Sequence, residues 1–534
     1  MGVPGNANAL LLASAAVSGG YQVSRSLRFN GSIDTSYLNR TPASAGNRKT
    51  WTWSGWVKRS GLGSFQKIFG NEDSSELNGV AIQFRSDNSL HVYDITSSVQ
   101  WQKITTAVYR DPSSWYHLVV AVDTTNGTAG DRVKIYINGV RETSFSTSSD
   151  PSSSADTQLN TTTAHGIGRS GAYNGSYFNG YLADIYFIDG QALTPSSFAE
   201  TDATTGQWIP KAYSGSYGSN GWKLSFSDNS TTAALGTDTS SNGNTWTTNN
   251  FSITAGSGND SLTDTPTSYG TDTGVGGEVR GNYATLNPLD KGSDVNTVTN
   301  GNLEATWSGV NGHSIRATIA VSSGKWYWEA TGFNALSAGI IAISQPIVPS
   351  SGTLFPGGSG FGAGNSYGYY AFNGSKATNG TVTSYGASYG TSDVVGIALD
   401  LDNGTLTFYK NGTTQGTAFT GISGTFAPAF GYQNAGTNNL VVNFGQRAFA
   451  YPVSGFKALV DTNLPVPTIS KGNTVMDVAL WSGNGGSQTI TLPGAFSPDF
   501  VWIKRRSSTF SSLLYDTIRG NGPNTGLISD STTA

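Results

Sequence analysis

Short apolar runs separated by turn residues constrain the fold of this chain more than any other feature. Runs such as Thr50–Lys58 and Trp115–Val122 are rich in Trp, Tyr and Val, and Gly, Asn and Ser fill the segments between them. No stretch of ten or more residues follows the 3.6-residue period of an amphipathic helix. The sequence therefore predicts an all-β protein of tandem antiparallel β-sandwiches (jelly rolls) with little helix.

Asn-Gly pairs indicate where strands turn back on themselves. Asn138-Gly139 directly follows the predicted strand Val133–Ile137. Asn403-Gly404 lies between Val394–Leu401 and Thr405–Lys410, which are both typical strands. Asn-Gly favours tight β-turns because both residues tolerate a positive φ, so we expect a hairpin at each pair.

The composition excludes several classes of protein. Aromatic residues make up 11% of the 534 residues, so the chain is not a disordered low-complexity segment, although 69 residues are Gly. The chain has no cysteine, which excludes disulfide scaffolds and thiolate metal sites and favours a bacterial or viral origin. The net charge is −4 without a large basic cluster, so we expect no nucleic-acid partner.

Changes in composition divide the chain into five regions. The apolar run at 9–17 is too short to span a bilayer, so we expect no membrane insertion and interpret 1–20 as a docking segment, or alternatively as an ordinary first strand or short helix. Residues 21–226 and 301–450 are predicted to be the two sandwiches. Residues 227–300 are Ser/Thr/Gly-rich but contain Trp246 and Phe251, which favours an ordered connecting region over a flexible linker.

Residues 465–534 are predicted to be a partial third β unit. They begin at a proline-rich spacer and contain three predicted strands, Val475–Trp481, Thr489–Leu492 and Phe500–Lys504. So short a unit is unlike a self-supporting core. We therefore expect either that the chain is part of a longer one or that the unit completes itself against a partner.

The residues needed for catalysis are sparse. A glycosidase requires two carboxylates across a cleft, but the chain has seven Glu, none after Glu329, and no E-x-D-x-E strand motif. Two G-x-S-x-G matches, around Ser366 and Ser388, lie in a Gly/Tyr-rich stretch and not between a strand and a helix. We therefore predict that the protein is not an enzyme.

Aromatic residues in Gly-rich loops are the candidate binding residues. Their ring faces suit sugar rings, and their Ser, Asn and Asp neighbours suit hydroxyl groups, although the same composition also serves protein recognition. The predicted glycan- or partner-binding residues are Tyr173, Tyr177, Phe178, Tyr367, Tyr369, Tyr370, Tyr385 and Tyr389.

Calcium is the one cofactor that the sequence suggests. Asp34, Asp184 and Asp189 stand at predicted loops or strand ends, where carboxylates can join backbone carbonyls around Ca²⁺. The alternative is that these aspartates cap turns. We expect no other cofactor.

Two sets of segments resemble known domain families. SLRFNGSIDTSYLNR (26–40), WTWSGWVKR (51–59), WYHLVVAVD (115–123), VKIYINGV (133–140) and FNGYLADIYFIDGQALTPSSF (178–198) resemble the laminin-G-like/concanavalin A-like jelly roll. GKWYWEA (324–330), GIALDLDNGTLTFYKNG (396–412), FAPAFGY (426–432) and NFGQRAF (443–449) resemble a SPRY domain. Both resemblances imply β-sandwiches.

The tandem order, the opening MGVPGNANALLLASAA and the SPDFVWIKRR element (497–506) resemble large virion proteins of tailed bacteriophages of cyanobacteria and marine bacteria. The resemblance implies a tail-fibre-like appendage on the virion surface that binds a host glycan or protein. It also implies an N-terminus attached to other virion proteins, and a homo-oligomer, with a trimer favoured. The alternatives are a structural virion protein, such as a capsid decoration or fibre spacer, and a glycan-cleaving spike.

Overall fold

The computed structural model describes residues 20–272, 278–308, 313–333, 339–346, 356–357, 364–432, 437–492, 494–506, 508–520, 522 and 525–531. Most of the predicted N-terminal docking segment therefore lies outside the described residues. The described chain forms antiparallel sheets and no α-helix, which confirms the all-β prediction. Its only helical turns are of the 3₁₀ type, at Ala129–Asp131, Pro195–Ser197, Ala233–Gly236, Asp461–Asn463 and Gly472–Thr474.

The first sandwich and the segments attached to it contain eighteen strands. In chain order these are β1 (Ser26–Asn30), β2 (Tyr37–Arg40), β3 (Thr50–Arg59), β4 (Gln66–Gly70), β5 (Asn78–Phe84), β6 (Ser89–Thr96), β7 (Ser98–Val108), β8 (Trp115–Asp123), β9 (Val133–Ile137), β10 (Val140–Arg141), β11 (Phe145–Ser149), β12 (His165–Ile167), β13 (Asn179–Asp189), β14 (Ala199–Thr201), β15 (Trp208–Pro210), β16 (Trp222–Leu224), β17 (Thr247–Asn249) and β18 (Ser261–Leu262).

These strands form two large sheets and a small hairpin. Sheet A has the order β10-β9-β8-β3-β13-β1-β18, with β16 pairing β13, and sheet B has the order β11-β7-β6-β5-β4-β12-β2-β17. The hairpin pairs β14 with β15. Trp51 and Trp53 lie in the core between sheets A and B, whereas Trp56 lies on the outer face of sheet A, as the alternation in β3 predicts.

The described residues of the second sandwich form fifteen strands. They are β19 (Leu286–Lys291), β20 (Val295–Thr299), β21 (Glu304–Trp307), β22 (Ser314–Ala317), β23 (Lys325–Thr331), β24 (Gly339–Ser344), β25 (Ser366–Tyr370), β26 (Lys376–Thr378), β27 (Thr381–Thr383), β28 (Val395–Asp400), β29 (Thr405–Lys410), β30 (Thr413–Thr420), β31 (Ala427–Tyr432), β32 (Asn438–Asn443) and β33 (Lys457–Ala458). Sheet C has the order β19-β22-β31-β24-β25-β26-β27, and sheet D has the order β20-β21-β32-β23-β28-β29-β30, with β33 parallel to β23.

The connecting region supplies strands to both sandwiches. Its β17 pairs with β2 and its β18 with β1, both in the first sandwich. Further along, β19 and β20 pair with strands of the second sandwich. Trp246 lies in the core of the first sandwich, where its ring meets Trp222 edge-on with centroids 5.0 Å apart. This packing orders the part of the region around Trp246.

Residues 202–207 and 468–534 form a separate compact unit, distinct from the one that contains both sandwiches. Its sheet has the order β34 (Phe500–Ile503), β35 (Leu513–Asp516) and β36 (Leu527–Ile528). The predicted strand at Phe500–Lys504 corresponds to β34. The predictions of strands at Val475–Trp481 and Thr489–Leu492 were wrong, because these segments have no strand partner among the described residues and leave side chains such as Val475 and Trp481 half exposed.

Candidate functional site

An aromatic cluster lies at the edge of sheet B where β2 and β12 are neighbours. The guanidinium of Arg169, just after β12, stacks on the ring of Tyr37 at 3.6 Å. Tyr177 lies against the same ring, with centroids 6.1 Å apart, and its hydroxyl donates to Asn174. All three side chains are partly exposed, although Arg169 covers one face of the Tyr37 ring.

The loop between β12 and β13 carries Arg169 and Tyr177, and its path requires glycine. Gly171 has φ +48°, and a Cβ there would stand 2.3 Å from the carbonyl oxygen of Glu72. Only a residue without a side chain can approach that backbone so closely. The loop therefore packs directly on the β4–β5 connection, which fixes Tyr173 and Tyr177 relative to sheet B.

A buried charged group lies beside this aromatic cluster. The Nζ of Lys67 donates to the carboxylates of Glu72 and Glu76 and lies 4.1 Å above the ring of Tyr173. Tyr93 donates from its hydroxyl to Glu72 Oε1 at 2.6 Å. Burial, followed by the charge of Glu72, raises the pKa of Tyr93 above its usual range, so the phenol stays protonated.

The outer face of sheet B continues the polar surface along β6. The imidazole of His91 stacks on Tyr93 with centroids 4.4 Å apart and meets the Gln83 amide at 3.2 Å. Burial lowers the pKa of His91 to about 4, so the ring is neutral at pH 7. We call Tyr37, Lys67, Glu72, Tyr93, Arg169, Tyr173 and Tyr177 the sheet-B site. Ion pairs and ring contacts hold its side chains in place, as recognition of a rigid ligand requires.

A second aromatic patch lies in the second sandwich, where β25 and β26 approach β30. Lys376 Nζ lies 5.3 Å from the ring of Phe419 and 5.8 Å from that of Tyr385. Tyr367 packs against Phe419 with centroids 5.0 Å apart. All four side chains are partly exposed, and we call them the sheet-C patch.

The other predicted tyrosines of this sandwich are placed differently. Tyr369 and Tyr389 are 0% and 2% exposed and pack in the core, where Tyr389 donates to the carbonyl oxygen of Tyr369 at 2.7 Å. Tyr370 points to the outer face of sheet C beside Phe372. Phe178 is also fully buried in the first sandwich. Because the side chains of Tyr369, Tyr389 and Phe178 are buried in the cores, the expectation that they line a surface was wrong.

The three aspartates considered for calcium do not converge. Asp34 is exposed and accepts a hydrogen bond from Asn30 Nδ2 at 2.9 Å. Asp184 accepts from the hydroxyls of Tyr21 and Tyr186, each at 2.7 Å. Donors from the protein thus form hydrogen bonds with these carboxylates. The described residues contain no group of three or more His, Asp or Glu arranged to hold a metal ion.

Asp189 connects three loops of the first sandwich. Its Oδ1 accepts from the backbone N–H of Asn47 and from Asn160 Nδ2, each at 2.7 Å, and its Oδ2 accepts from the backbone N–H of Asn220 at 3.0 Å. This pattern is that of a turn-capping carboxylate, the alternative that the sequence left open.

Sequence reasoning missed Tyr37, Lys67, Glu72, Tyr93 and Arg169. The Tyr37–Arg169 contact depends on the pairing of β2 with β12, in which His165 is opposite Arg40. Such a pairing joins residues far apart in the chain, and local alternation does not encode it. In the second sandwich, Lys376 and Phe419 were missed for the same reason.

Comparison with known families assigns both sandwiches. Residues 30–199 match the model of the concanavalin A-like lectin/glucanases superfamily, and residues 325–447 match the SPRY domain. Residues 471–534 match a domain of unknown function, DUF7483. The chain therefore contains a concanavalin A-like domain and a SPRY domain in tandem, which are lectin-like β-sandwiches.

Individual relatives match only part of the chain. It is 33% identical to the E3 ubiquitin-protein ligase RKP of Arabidopsis thaliana over 27% of this chain and 11% of that protein. It is 32% identical to the ATP-dependent RNA helicase Ddx1 of Drosophila melanogaster (30% and 21%) and 31% identical to Ran-binding protein 9 of Danio rerio (27% and 24%). The chain thus spans less than a quarter of the length of these relatives.

Two solved structures are among those to which parts of the chain are similar. The SPRY domain of human HERC1 is 20% identical with a TM-score of 0.26, covering 30% of this chain and 99% of that one. The SAP-like pentraxin from Limulus polyphemus is 16% identical with a TM-score of 0.26, covering 33% and 80%. Within the described ranges, no helix is long and apolar enough to cross a membrane.

Proposed function

We propose that this chain is a tail-fibre-like appendage of a phage particle, which binds a glycan or protein on the host surface through its lectin-like sandwiches. The observation that carries the proposal is the sheet-B site, where Tyr37, Tyr173 and Tyr177 offer partly exposed rings beside a cation. The protein acts as a binder and not as an enzyme. It resides on the virion surface, is attached through its N-terminus to other virion proteins and forms a homo-oligomer, with a trimer favoured.

The chemistry of the sheet-B site suits a sugar ring. The axial C–H groups of a sugar can stack on an aromatic face while its hydroxyls bond to polar groups around it. Arg169 makes no side-chain hydrogen bond within the described residues, and its Nε is buried, so only its terminal N–H groups can reach a ligand while Tyr37 holds its plane. The buried Lys67–Glu72 pair keeps the base of the site rigid, which limits the entropy lost on binding.

The test uses the full chain displayed at high density on fluorescent beads. The beads are applied to a printed glycan array and to a panel of cyanobacterial and marine bacterial strains. We expect Tyr177→Ala and Arg169→Ala each to reduce binding roughly tenfold, the equivalent of about 1.4 kcal/mol. Phe372→Ala, at an exposed ring of the second sandwich, is the matched control and should bind as the unmodified chain does. Absence of binding to every glycan and strain would overturn the proposal.

The C-terminal unit favours a second candidate, a structural virion protein whose surfaces contact other virion proteins. Trp502 and Ile518 in this unit are 65% and 94% exposed, and Phe500 and Phe510 are more than half exposed. Apolar surface of this kind is typical of protein interfaces.

A single introduced thiol separates the two candidates, because the chain has no cysteine. Asn174→Cys places a thiol at an exposed position of the sheet-B site. In the assembled particle, a bulky maleimide should label it if the site faces a host. Labelling of the free chain with protection in the particle would favour the structural role.

A further inference from the structure

A cleft of about 500 Å³ lies between the first and the second sandwich. One wall comes from the N-terminal end of β1 and the connecting region, and the other from the segment that follows β32. Its volume falls within the range of about 300–1,000 Å³ that is usual for small-molecule sites. None of its lining residues belongs to the sheet-B site or the sheet-C patch.

The wall from the second sandwich combines apolar side chains with Gln446 and Arg447, and its apolar part is firmly held. Phe449, Val453 and Phe456 line it and are partly exposed. The ring of Phe449 meets Tyr327 edge-on with centroids 5.1 Å apart. Just beyond it, the buried carboxylate of Glu329 accepts from the backbone N–H groups of Ala450 at 2.9 Å and Tyr451 at 2.7 Å. Glu329 thereby fixes the segment that carries the aromatic wall.

The opposite wall carries hydrogen-bond donors without partners. Arg25 has one ion pair, with Glu278 at 3.8 Å, and no hydrogen bond to the described residues. The Asn229 side chain likewise has none, and Asn259 uses only its Oδ1, which accepts from the backbone N–H of Ser261 at 3.0 Å. Ser261 also lines the cleft, is 2% exposed, and its hydroxyl has no partner in the described part of the chain.

Of these groups only the Ser261 hydroxyl is buried, and an unpartnered buried polar group points to a ligand or water that completes it. Arg25, Asn229 and Asn259 are partly exposed, so their donors can be reached from the cleft. The aromatic wall suits the apolar C–H face of a sugar ring. The amide and guanidinium donors on the opposite wall suit the hydroxyls around that ring. We propose that the cleft binds a saccharide of one or two rings, with its ring face against Phe449 and Phe456 and its hydroxyls toward Arg25, Asn229 and Asn259. This site goes beyond the proposed function because it does not depend on the sheet-B site.

Saturation-transfer difference NMR on the full chain tests the site. The probes are the methyl glycosides of glucose, galactose, mannose and N-acetylglucosamine, together with glucuronic acid. We expect saturation of ring C–H protons for at least one probe, and a roughly tenfold weaker affinity in Phe456→Ala and in Asn229→Ala. Asn229 makes no hydrogen bond to the described residues, so Asn229→Ala should fold even if Phe456→Ala does not; equal thermal midpoints check this.

The control is Phe372→Ala, an exposed ring outside both the cleft and the sheet-B site, which should leave the signals unchanged. Signals that disappear in Tyr177→Ala or Arg169→Ala but persist in Phe456→Ala and Asn229→Ala would place the sugar at the sheet-B site and overturn the cleft proposal. Absence of transfer for all probes would also overturn it. Neither result determines whether the chain binds host cells or the glycan array. The cleft proposal and the proposed function can therefore fail separately.

Discussion

Asp461 lies in a buried turn after the second sandwich, and its carboxylate has few donors. Its Oδ1 accepts from the backbone N–H of Asn282 at 2.9 Å and from the hydroxyl of Thr462 at 3.2 Å. Burial outweighs these bonds and, together with the nearby negative charge of Asp264, raises the pKa of Asp461 to about 7. In the unfolded chain the same carboxyl titrates near about 3.9.

This shift predicts a pH-dependent gain for Asp461→Asn. Between about pH 4 and 7 the folded state binds the proton and the unfolded state does not, so ionisation of Asp461 lowers stability as the pH rises. We expect the variant to increase the free energy of unfolding by at least about 1 kcal/mol at pH 8, with little change at pH 4. Urea unfolding at both pH values measures this, and an equal effect at the two would contradict it.

The Asn-Gly pairs show what local sequence determines at this scale. Asn138 and Gly139 have φ of +48° and +82° and form the two-residue turn between β9 and β10, which confirms the predicted hairpin. Asn403-Gly404 does lie in the hairpin of β28 and β29, but this loop has four residues, since Asp400 is opposite Thr405. Asp400 Oδ1 accepts from the backbone N–H of Asn403 at 2.9 Å and thereby determines the longer loop.

Three strands of the first sandwich each contribute a buried, neutral histidine: β6, β8 and β12. His117 lies between the rings of Trp56 and Trp208, and its Nδ1 accepts from the Trp208 indole N–H at 3.0 Å. Its Nε2 therefore carries the proton and donates to Ser54 at 2.9 Å. Burial lowers the pKa of His117 to about 3 and those of His91 and His165 to about 4.

These histidines predict that the first sandwich loses stability in mild acid. Below about pH 6.5 the three histidines bind protons in the unfolded chain but stay neutral in the folded one. The free energy of unfolding therefore decreases as the pH falls from about 6.5 toward 4. Each histidine contributes up to about 1.4 kcal/mol per pH unit in that window. Urea unfolding from pH 7.5 to 4.5 measures the slope.

The matched variant is His91→Gln, in which stability should fall less steeply below about pH 6.5 than in the unmodified chain, because one of the three titrating histidines is lost. An unchanged slope in this variant would contradict the assignment to the histidines.

The alternation of apolar residues and the positions of turn residues predicted the bounds of several strands closely. They did not predict which strands pair with one another. The predicted runs Thr50–Lys58 and Trp115–Val122 lie within β3 and β8. By contrast β17, whose sequence is Thr-Thr-Asn, has no apolar pattern and exists because it pairs with β2. The same long-range pairing creates the sheet-B site, so its cations were not predictable from local patterns.

At the scale of the whole chain, a buried ion pair joins the first sandwich to the connecting region. Lys58 Nζ, on the outer face of sheet A, lies 2.7 Å from Asp264 Oδ2, and both side chains are fully buried. Lys58 also donates to Asn282 Oδ1 at 2.7 Å. Around this pair, one continuous apolar cluster joins Trp56, Trp115 and Tyr181 to the core of the second sandwich.

We predict that Lys58→Met destabilises both sandwiches together. The substitution leaves the Asp264 carboxylate buried without its partner, which typically costs about 3–5 kcal/mol. Lys58→Met combined with Asp264→Asn should recover part of the loss, because no uncompensated charge remains. Calorimetry and urea unfolding of the full chain measure both variants. A loss below about 1 kcal/mol in the single variant would show that the carboxylate is not isolated.

The sequence indicated the two faces of β3 but not what covers the outer one. Trp56 was assigned to the face opposite Trp51 and Trp53, and the structure places it there. Its partners come from the hairpin that carries Trp208 and from the second sandwich. Contacts between successive sandwiches leave no periodic signal in either one, so the tandem arrangement was predictable and its shared core was not.

The shared core also limits which parts of this chain can be exchanged for those of another protein. Two sandwiches joined by a free linker can be exchanged independently, but a cut between these two would expose Trp56, Trp115 and Tyr181 to water and leave Lys58 and Asp264 apart. A new specificity is therefore more readily acquired by changing loops such as 168–177 than by replacing a whole sandwich. We therefore expect the two sandwiches of this chain to be exchangeable only as one unit.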